Sequence, residues 1–382
     1  MSSFAVPIKR IRAIEPHPNA EAIELAVIDG YRSIIKKGEF RQGDLMAYIP
    51  EAALLPEWLL KQLKFWDSEK GRGKLNGKQG NRVNAIRLRG ELSQGICYPL
   101  LTDSSGNHLL VTETVPDGVV VQEGDNVVDE LGIIKYEPPI PVSMAGELFS
   151  VDPRLTLSFD VENWKSYPDI LQEGEAVIFT EKLHGTCTVL AILPYQDAQV
   201  EAFGERQNIL VFSKGLGAKG LVLKNNEQNR NNLYVRATQA LRERIDALQI
   251  ADAELTAPIF ILGETFGQGV QDLNYGKSLG FRVFAVVKGY RENQTYCNWT
   301  QVEGELKTQF GFETVPVVYR GPFSVSLMLE YTNGQTTLEA NHIREGIVII
   351  PAQEQRDFRI GRVCLKSVSA DYLTRKGGTE YN

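Results

Sequence analysis

The chain is poor in cysteine and histidine, with four of each in 382 residues, and it has no long apolar run. Cys97, Cys187, Cys297 and Cys364 stand far apart with no CxxC pair. That spacing excludes a disulfide framework and a structural zinc, and predicts four free thiols. No stretch reaches the ~18 apolar residues that a membrane helix needs. The opening MSSFAVPIKRIRAIEPH has no uninterrupted apolar region with a cleavage site, so a cytoplasmic protein without membrane association is expected. Low-complexity tracts and internal repeats are also missing. What remains is ordinary for a folded chain: 43% hydrophobic and 23% charged residues, with 34 Gly and 17 Pro. The length is too great for one ordinary core and predicts two domains.

A net charge of −7 argues against nucleic-acid binding over the whole surface, so the distribution of charge matters more than its sum. Between residues 61 and 89 stand Lys61, Lys64, Lys70, Arg72, Lys74, Lys78, Arg82, Arg87 and Arg89, against only Asp67 and Glu69, with Phe65 and Trp66 interleaved. Lys74, Lys78, Arg82, Arg87 and Arg89 are the candidate nucleic-acid contacts. A solvated loop is the plain alternative, and Phe65 and Trp66 follow the helical pattern PEWLLKQLKF, so packing competes with base stacking for them.

Short β patterns fill residues 5 to 135: VPIKRIRAI, AIELAVI, RSIIKKG, DLMAYIP, RVNAIRL and GICYPL, with Gly43-Asp44 and Gly124-Asp125 turns. They predict an OB-type β-barrel over residues 1–140. The run IEPHPNAEAIELAVIDGYRSIIKKGEFRQGDLMAYIPEAALLP is similar to the tRNA-binding OB modules that accompany some aminoacyl-tRNA synthetases. His17 in it reads as a turn residue satisfied by backbone. The Pro-rich stretch KYEPPIPVSMAGELFSVDPR favours extended backbone and is expected to supply a linker over 141–158. From 159 to 382, β runs such as EAVIFTEK, CTVLAIL, PIFILGE, RVFAVV and GIVIIP alternate with a few helices, notably an amphipathic one near 232–249. The fold class expected is α+β with antiparallel sheets.

The informative strings come in order: Thr180-Glu181-Lys182-Leu183-His184-Gly185-Thr186, Phe212-Ser213-Lys214-Gly215, Leu262-Gly263-Glu264-Thr265-Phe266-Gly267, Phe281-Arg282-Val283-Phe284-Ala285-Val286, Glu345-Gly346-Ile347-Val348-Ile349 and Val363-Cys364-Leu365-Lys366. Taken singly, a lysine after a strand is a solvated side chain. As an ordered set, these strings resemble the nucleotidyltransferase motifs of ATP-dependent ligases and capping enzymes, whose fold is DNA-ligase-like (ATP-grasp-like). TEKLHGT and GETFGQGVQDLNYG resemble the phage RNA ligase 2 and RNA-editing ligase group, with His184 where DNA ligases usually carry Asp. The OB-like module precedes the motifs, as in Deinococcus-type RNA ligases.

The resemblance implies an ATP-dependent RNA ligase acting on nicked duplex RNA or an RNA/DNA hybrid. It implies AMP carried covalently on Lys182, with Mg²⁺ or Mn²⁺ at Glu345. Glu264 would hold the ribose hydroxyls. Phe284 would stack the adenine, with Phe281 as the alternative, and Glu181 with its backbone would read the adenine edge. Lys214 and Lys366 would bear on the phosphate, and Gly185 completes the nucleotide site. His184 would orient either the pyrophosphate or the nucleophile, and both roles stay open. Three positions depart from the phage pattern: Val368 and Ile350 where a basic residue is common, and Lys214 in place of arginine, which weakens a bidentate phosphate grip. A DNA ligase or capping enzyme is disfavoured by domain order. A non-catalytic RNA-binding protein derived from a ligase is the remaining rival. Nothing in the sequence demands an obligate protein partner or more than a monomer.

Overall fold

The computed structural model describes residues 4–198, 208–247, 255–307 and 311–379. The chain divides into two units.

The first unit holds the residues up to Glu137 together with Trp164–Pro168. Strands β1 (Ile8–Arg10), β2 (Ala13–Pro16), β3 (Ile23–Ile28), β4 (Tyr31–Lys36) and β5 (Leu45–Ile49) are followed by helix α1 (Glu57–Gln62) and by β6 (Ile96–Pro99). They form two three-stranded antiparallel sheets, ordered β1-β5-β6 and β2-β3-β4. Strand β5, LMAYI, is apolar along its length because both its faces are buried. Leu45, Ala47 and Ile49 join Val6, Ile8 and Leu59 in one core, while Met46 and Tyr48 join Ile11, Ala26 and Ile28 in another. Phe65 and Trp66 pack on the first of these cores. Trp164–Pro168 belongs here because Gly30 N–H donates to Lys165 O at 2.9 Å and Lys165 Nζ donates to Gln94 Oε1. A Cβ on Gly30 would lie 2.5 Å from Lys165 Cα, so only glycine fits.

The second unit holds Pro138–Asn163 and the described chain from Asp169 onward. The stretch expected as a linker is part of it. Leu148–Ser150 pairs with Leu221–Leu223, and Leu155 and Leu157 are buried. Pro141 and Pro153 open turns here instead of extended chain: Met144 N–H donates to Pro141 O at 2.9 Å and Pro153 begins a short 3₁₀ turn, while the apolar residues among them give the stretch a face to bury.

Strands β7 (Ala176–Lys182), β8 (Thr186–Ile192) and β9 (Ile209–Ser213) precede helices α2 (Lys214–Ala218) and α3 (Leu233–Ala247). Then come β10 (Ile259–Phe266), β11 (Gly280–Lys288), β12 (Val317–Pro322), α4 (Val325–Thr332), β13 (Gly346–Pro351), β14 (Leu365–Val368) and α5 (Ala370–Leu373). One five-stranded sheet runs Glu162–Asn163, β14, β13, β7, β12, and the other runs β9, β8, β10, β11, Thr295–Tyr296. All neighbours are antiparallel except the short Glu162–Asn163 edge. The architecture is thus α+β with mainly antiparallel sheets. Ile178 and Ile350 share a core with Leu190, Ile192 and Ile261, so the two sheets share one apolar cluster. The alternate residues Val189, Ala191, Phe260 and Leu262 fill a further cluster. The amphipathic helix expected near 232–249 is α3; residues 248 and 249 lie outside the described chain. None of the described helices is long and apolar enough to cross a membrane. All four cysteines are free.

Candidate active site

Strand register brings the lysines together. Lys182, the last residue of β7, lies opposite Gly346 on β13, and Gly346 lies opposite Val368 on β14. Lys366, two residues before Val368, therefore shares a face with Lys182, because side chains on a strand alternate with period two. Glu345 stands one residue before β13. Its Oε1 lies 2.6 Å from Lys182 Nζ, and its side chain is 8% exposed against 26% for the lysine. Burial alone would raise the Glu345 carboxyl, but the Lys182 ammonium and His184 hold it below its ordinary value. Glu345 Oε2 is buried without a hydrogen-bond partner among the described residues, 3.7 Å from His184 Nδ1.

Glu264 on β10 faces the same charges. Burial pushes its carboxyl up to about 8, with Glu345 adding to the rise and Lys182 opposing it. Gly185 permits the approach: a Cβ there would lie 2.2 Å from Thr265 O and 3.0 Å from Glu264 Cγ. Burial, then Lys182 and Lys214, lower the Lys366 ammonium from its ordinary value. Lys214 opens α2, whose N-cap is Ser213, and its Nζ is paired with Asp160 and lies 5.4 Å from the Phe159 ring centre. A phosphate grip by Lys214 would have to compete with that carboxylate.

Two adenine-site expectations change in detail. The Glu181 side chain lies on the opposite face of β7 from Lys182, and its carboxylate is taken by Thr336 Oγ1 at 2.5 Å and by Thr337 N–H and Oγ1 at 2.8 and 2.6 Å. Its main-chain N–H is engaged as well, donating to Pro316 O at 2.8 Å. Phe284 sits at a β-bulge, the extra residue between the pairs Leu262–Ala285 and Gly263–Val283. A bulge re-aims its side chain, and Phe284 is half-buried with its ring centre 6.2 Å from that of Phe159. Phe281 is committed to packing over Gly263, where a Cβ would meet its ring at 2.3 Å. Of the departures, Ile350 is a buried core residue on β13 and Val368 faces Gly346.

His184 is enclosed by groups that were not assigned a role from the sequence. Tyr372 Oη lies 2.8 Å from its Nδ1 and Asp272 Oδ1 2.8 Å from its Nε2. Burial works against the Asp272 charge, but Arg375, Thr379 and His184 together hold its carboxyl well below the usual range. Asp272 lies within GETFGQGVQDLNYG, whereas Tyr372 and Arg375 follow every motif.

No group of three or more His, Cys, Asp or Glu side chains that could cage a metal exists among the described residues. The orphaned Glu345 Oε2, with Glu264 nearby, fits a hard divalent ion whose shell is otherwise phosphate and water.

In the first unit, Lys74 and Lys78 are exposed. Arg82 instead has its guanidinium carbon 3.8 Å from the centre of the Tyr136 ring and is half-buried, so it contributes to packing. Arg87 and Arg89 are carried by the hairpin of Ile86–Leu88 and Glu91–Ser93, with Ile86 and Leu88 exposed beside them. His17 accepts from Asn19 N–H and lies 3.1 Å from Leu88 O, satisfied by backbone as its sequence context suggests.

A family model for RNA ligase matches residues 175–368, just over half of the chain. The chain belongs to the RNA ligase family. The span shared with that family contains Lys182, His184, Gly185, Lys214, Glu264, Phe284, Glu345 and Lys366, and it stops short of Tyr372 and Arg375. An OB-fold domain model matches residues 5–100, which gives the first unit its fold. Naegleria gruberi RNA ligase has the same fold across both units. A lysine-to-alanine mutant of it with ATP and Mn is 22% identical, covers 97% of this chain and 98% of that chain, and superimposes with a TM-score of 0.72. A lysine-to-methionine mutant with AMP and Mn is 23% identical over the same shares, also at 0.72. The form with PPi is 24% identical over 97% of each chain, again at 0.72. No curated protein sequence matches the chain.

Proposed function

We propose that this RNA ligase uses ATP to seal 3′-OH and 5′-phosphate ends at nicks in duplex RNA or RNA/DNA hybrids, through an AMP adduct on Lys182. The observation that carries the reading is the Lys182–Glu345 contact of 2.6 Å at the end of β7, with Lys366 on the same face. The presence of ATP, AMP, Mn and PPi in the Naegleria gruberi structures is in keeping with it.

Lys182 gives up one proton from its ammonium to water, its amine attacks the α-phosphorus of ATP, the bond to pyrophosphate breaks, and a second nitrogen proton passes by way of Glu345 to water. Lys366, desolvated and cationic, faces the charge that develops on the phosphoryl oxygens. Glu264 is assigned to the ribose hydroxyls and Phe284 to the base. AMP then passes to the RNA 5′-phosphate. The RNA 3′-OH attacks that phosphate, releases AMP and closes the strand, with much of the acceleration coming from alignment of the two ends. A divalent ion, Mg²⁺ or Mn²⁺, bound at Glu345 would neutralise phosphate charge. Lys74, Lys78, Arg87 and Arg89 are assigned to the RNA backbone.

Sealing of a nicked duplex with an RNA 3′-OH end, compared with the same duplex ending in a DNA 3′-OH and with free single strands, tests the substrate. Preferred sealing at the RNA-ended nick is expected. Equal activity on unpaired ends would overturn the nick assignment.

A further inference from the structure

The loop between β10 and β11 folds back on the turn that follows Lys182. Gln271 Nε2 donates to Gly185 O at 3.2 Å, and His184 N–H donates to the buried Tyr275 hydroxyl at 2.6 Å. Tyr275 holds a φ of 56°, a left-handed conformation that a tyrosine keeps only where its surroundings fix it. The main chain at His184 is therefore anchored from the β10–β11 side.

The imidazole is anchored from a different element. Tyr372 on α5 reaches Nδ1 at 2.8 Å, and Asp272 Oδ1 lies 2.8 Å from Nε2. Asp272 is itself held twice by Arg375, Nε to Oδ2 at 2.8 Å and Nη2 to Oδ1 at 2.9 Å, and by Thr379 N–H at 2.8 Å. The Arg375 guanidinium lies over the Tyr372 ring at 3.7 Å, so the three side chains form one assembly. This second anchor depends on residues 372–379, all beyond the span shared with the family.

A carboxylate gripped by a guanidinium is ionised and can only accept, so Nε2 donates to Asp272 and the ring is fixed in the orientation that turns Nδ1 toward Tyr372. The 3.2 Å approach of Arg375 Nη2 to Nε2 follows from both groups sharing Asp272 Oδ1. Held this way, the ring presents Nδ1 to Glu345 Oε2 at 3.7 Å, and the other oxygen of that carboxylate holds Lys182.

We propose that Tyr372, Asp272 and Arg375 are positioning residues for Lys182 adenylation: they hold the His184 ring in one orientation against the Lys182–Glu345 pair. The proposal rests on Lys182 being the nucleophile. Side chains that merely pinned the C-terminal segment would affect stability and leave the imidazole and the chemical step alone.

Tyr372→Phe removes one hydroxyl and keeps the ring under Arg375. It is expected to lower the maximal rate of protein–AMP formation by about 10–100-fold, with the KM for ATP and the melting temperature little changed. In a His184→Ala background the same substitution is expected to have no further effect, since it acts through that ring. The chain has four histidines, so the His184 imidazole nitrogens can be assigned by ¹⁵N NMR through their loss in His184→Ala. Wild type is expected to show one sharp set of His184 imidazole signals, and Tyr372→Phe and Asp272→Asn shifted or broadened ones. Wild-type adenylation rates in Tyr372→Phe, or an undiminished extra loss in the His184→Ala background, would overturn the proposal. If Asp272→Asn fails to fold, Tyr372→Phe alone decides. A wild-type protein that forms no adduct would count against Lys182 as nucleophile, and the imidazole signals would still decide the positioning.

Discussion

Lys182 Nζ and Glu345 Oε1 lie 2.6 Å apart, in contact because β7 and β13 pair with Lys182 opposite Gly346. The pair ties the proposed nucleophile to a buried carboxylate whose other oxygen, Oε2, has no hydrogen-bond partner among the described residues.

Lys366 is a desolvated cation aimed at the same space. Lys366→Met is expected to slow protein–AMP formation by on the order of 10²-fold, the loss typical when one preorganised donor to a developing oxyanion is removed. Stability should be unchanged or slightly higher, because a buried charge beside Lys182 is removed. Single-turnover adenylation together with thermal melting checks both halves.

Glu264 has the opposite problem, a carboxyl pushed from 4.5 up to about 8 by burial. Its folded-state pKa exceeds its unfolded one, so its contribution to stability is complete below about 4.5 and is lost as pH rises towards about 8. Glu264→Gln is expected to flatten the fall of melting temperature over that interval and to melt higher than wild type at pH 8.5, each kcal/mol being worth about 2–4 °C. The comparison is made in chelator without nucleotide. A parallel pH dependence in both proteins would contradict it.

Gly185 leaves room for Thr265 O, which a Cβ would approach to 2.2 Å. Gly185→Ala should destabilise the second unit by about 1–3 kcal/mol, the usual penalty of overpacking, and should impair adenylation as β10 is pushed away. Denaturant melts followed with and without ATP measure it.

Arg82 and Arg87 separate packing from RNA contact within one basic run. Arg82→Ala is expected to destabilise the first unit by about 0.5–1 kcal/mol through loss of the Tyr136 contact, with RNA affinity at most slightly lower. Arg87→Ala should leave stability alone and reduce the slope of log affinity against log salt by about 1. Filter binding across a salt series distinguishes them.

The lysines, Glu264 and Glu345 were legible because each sits at a fixed place in a short string, and strand register then brings the strings together. Phe284 was legible only as an aromatic in a strand, since a period-two reading does not reveal a bulge that leaves Phe284 as the extra residue opposite the Leu262–Gly263 step. Glu181 was misdirected for a related reason: alternation puts its side chain behind β7, where Thr336 and Thr337, more than 150 residues on, consume its carboxylate. Tyr372 and Arg375 were illegible because a contact across 188 residues leaves no local pattern. The stretch 141–158 was read as a linker from its prolines, while Leu155 and Leu157 decided its burial.

The most direct test is incubation of purified protein, wild type and Lys182→Met, with α-labelled ATP and Mg²⁺ or Mn²⁺, followed by a denaturing gel and a chase with nicked RNA. Label that stays on wild-type protein through denaturation, is absent from Lys182→Met, and chases into sealed RNA is the predicted result. Equal labelling of Lys182→Met, or none of the wild type with either metal, would contradict the account.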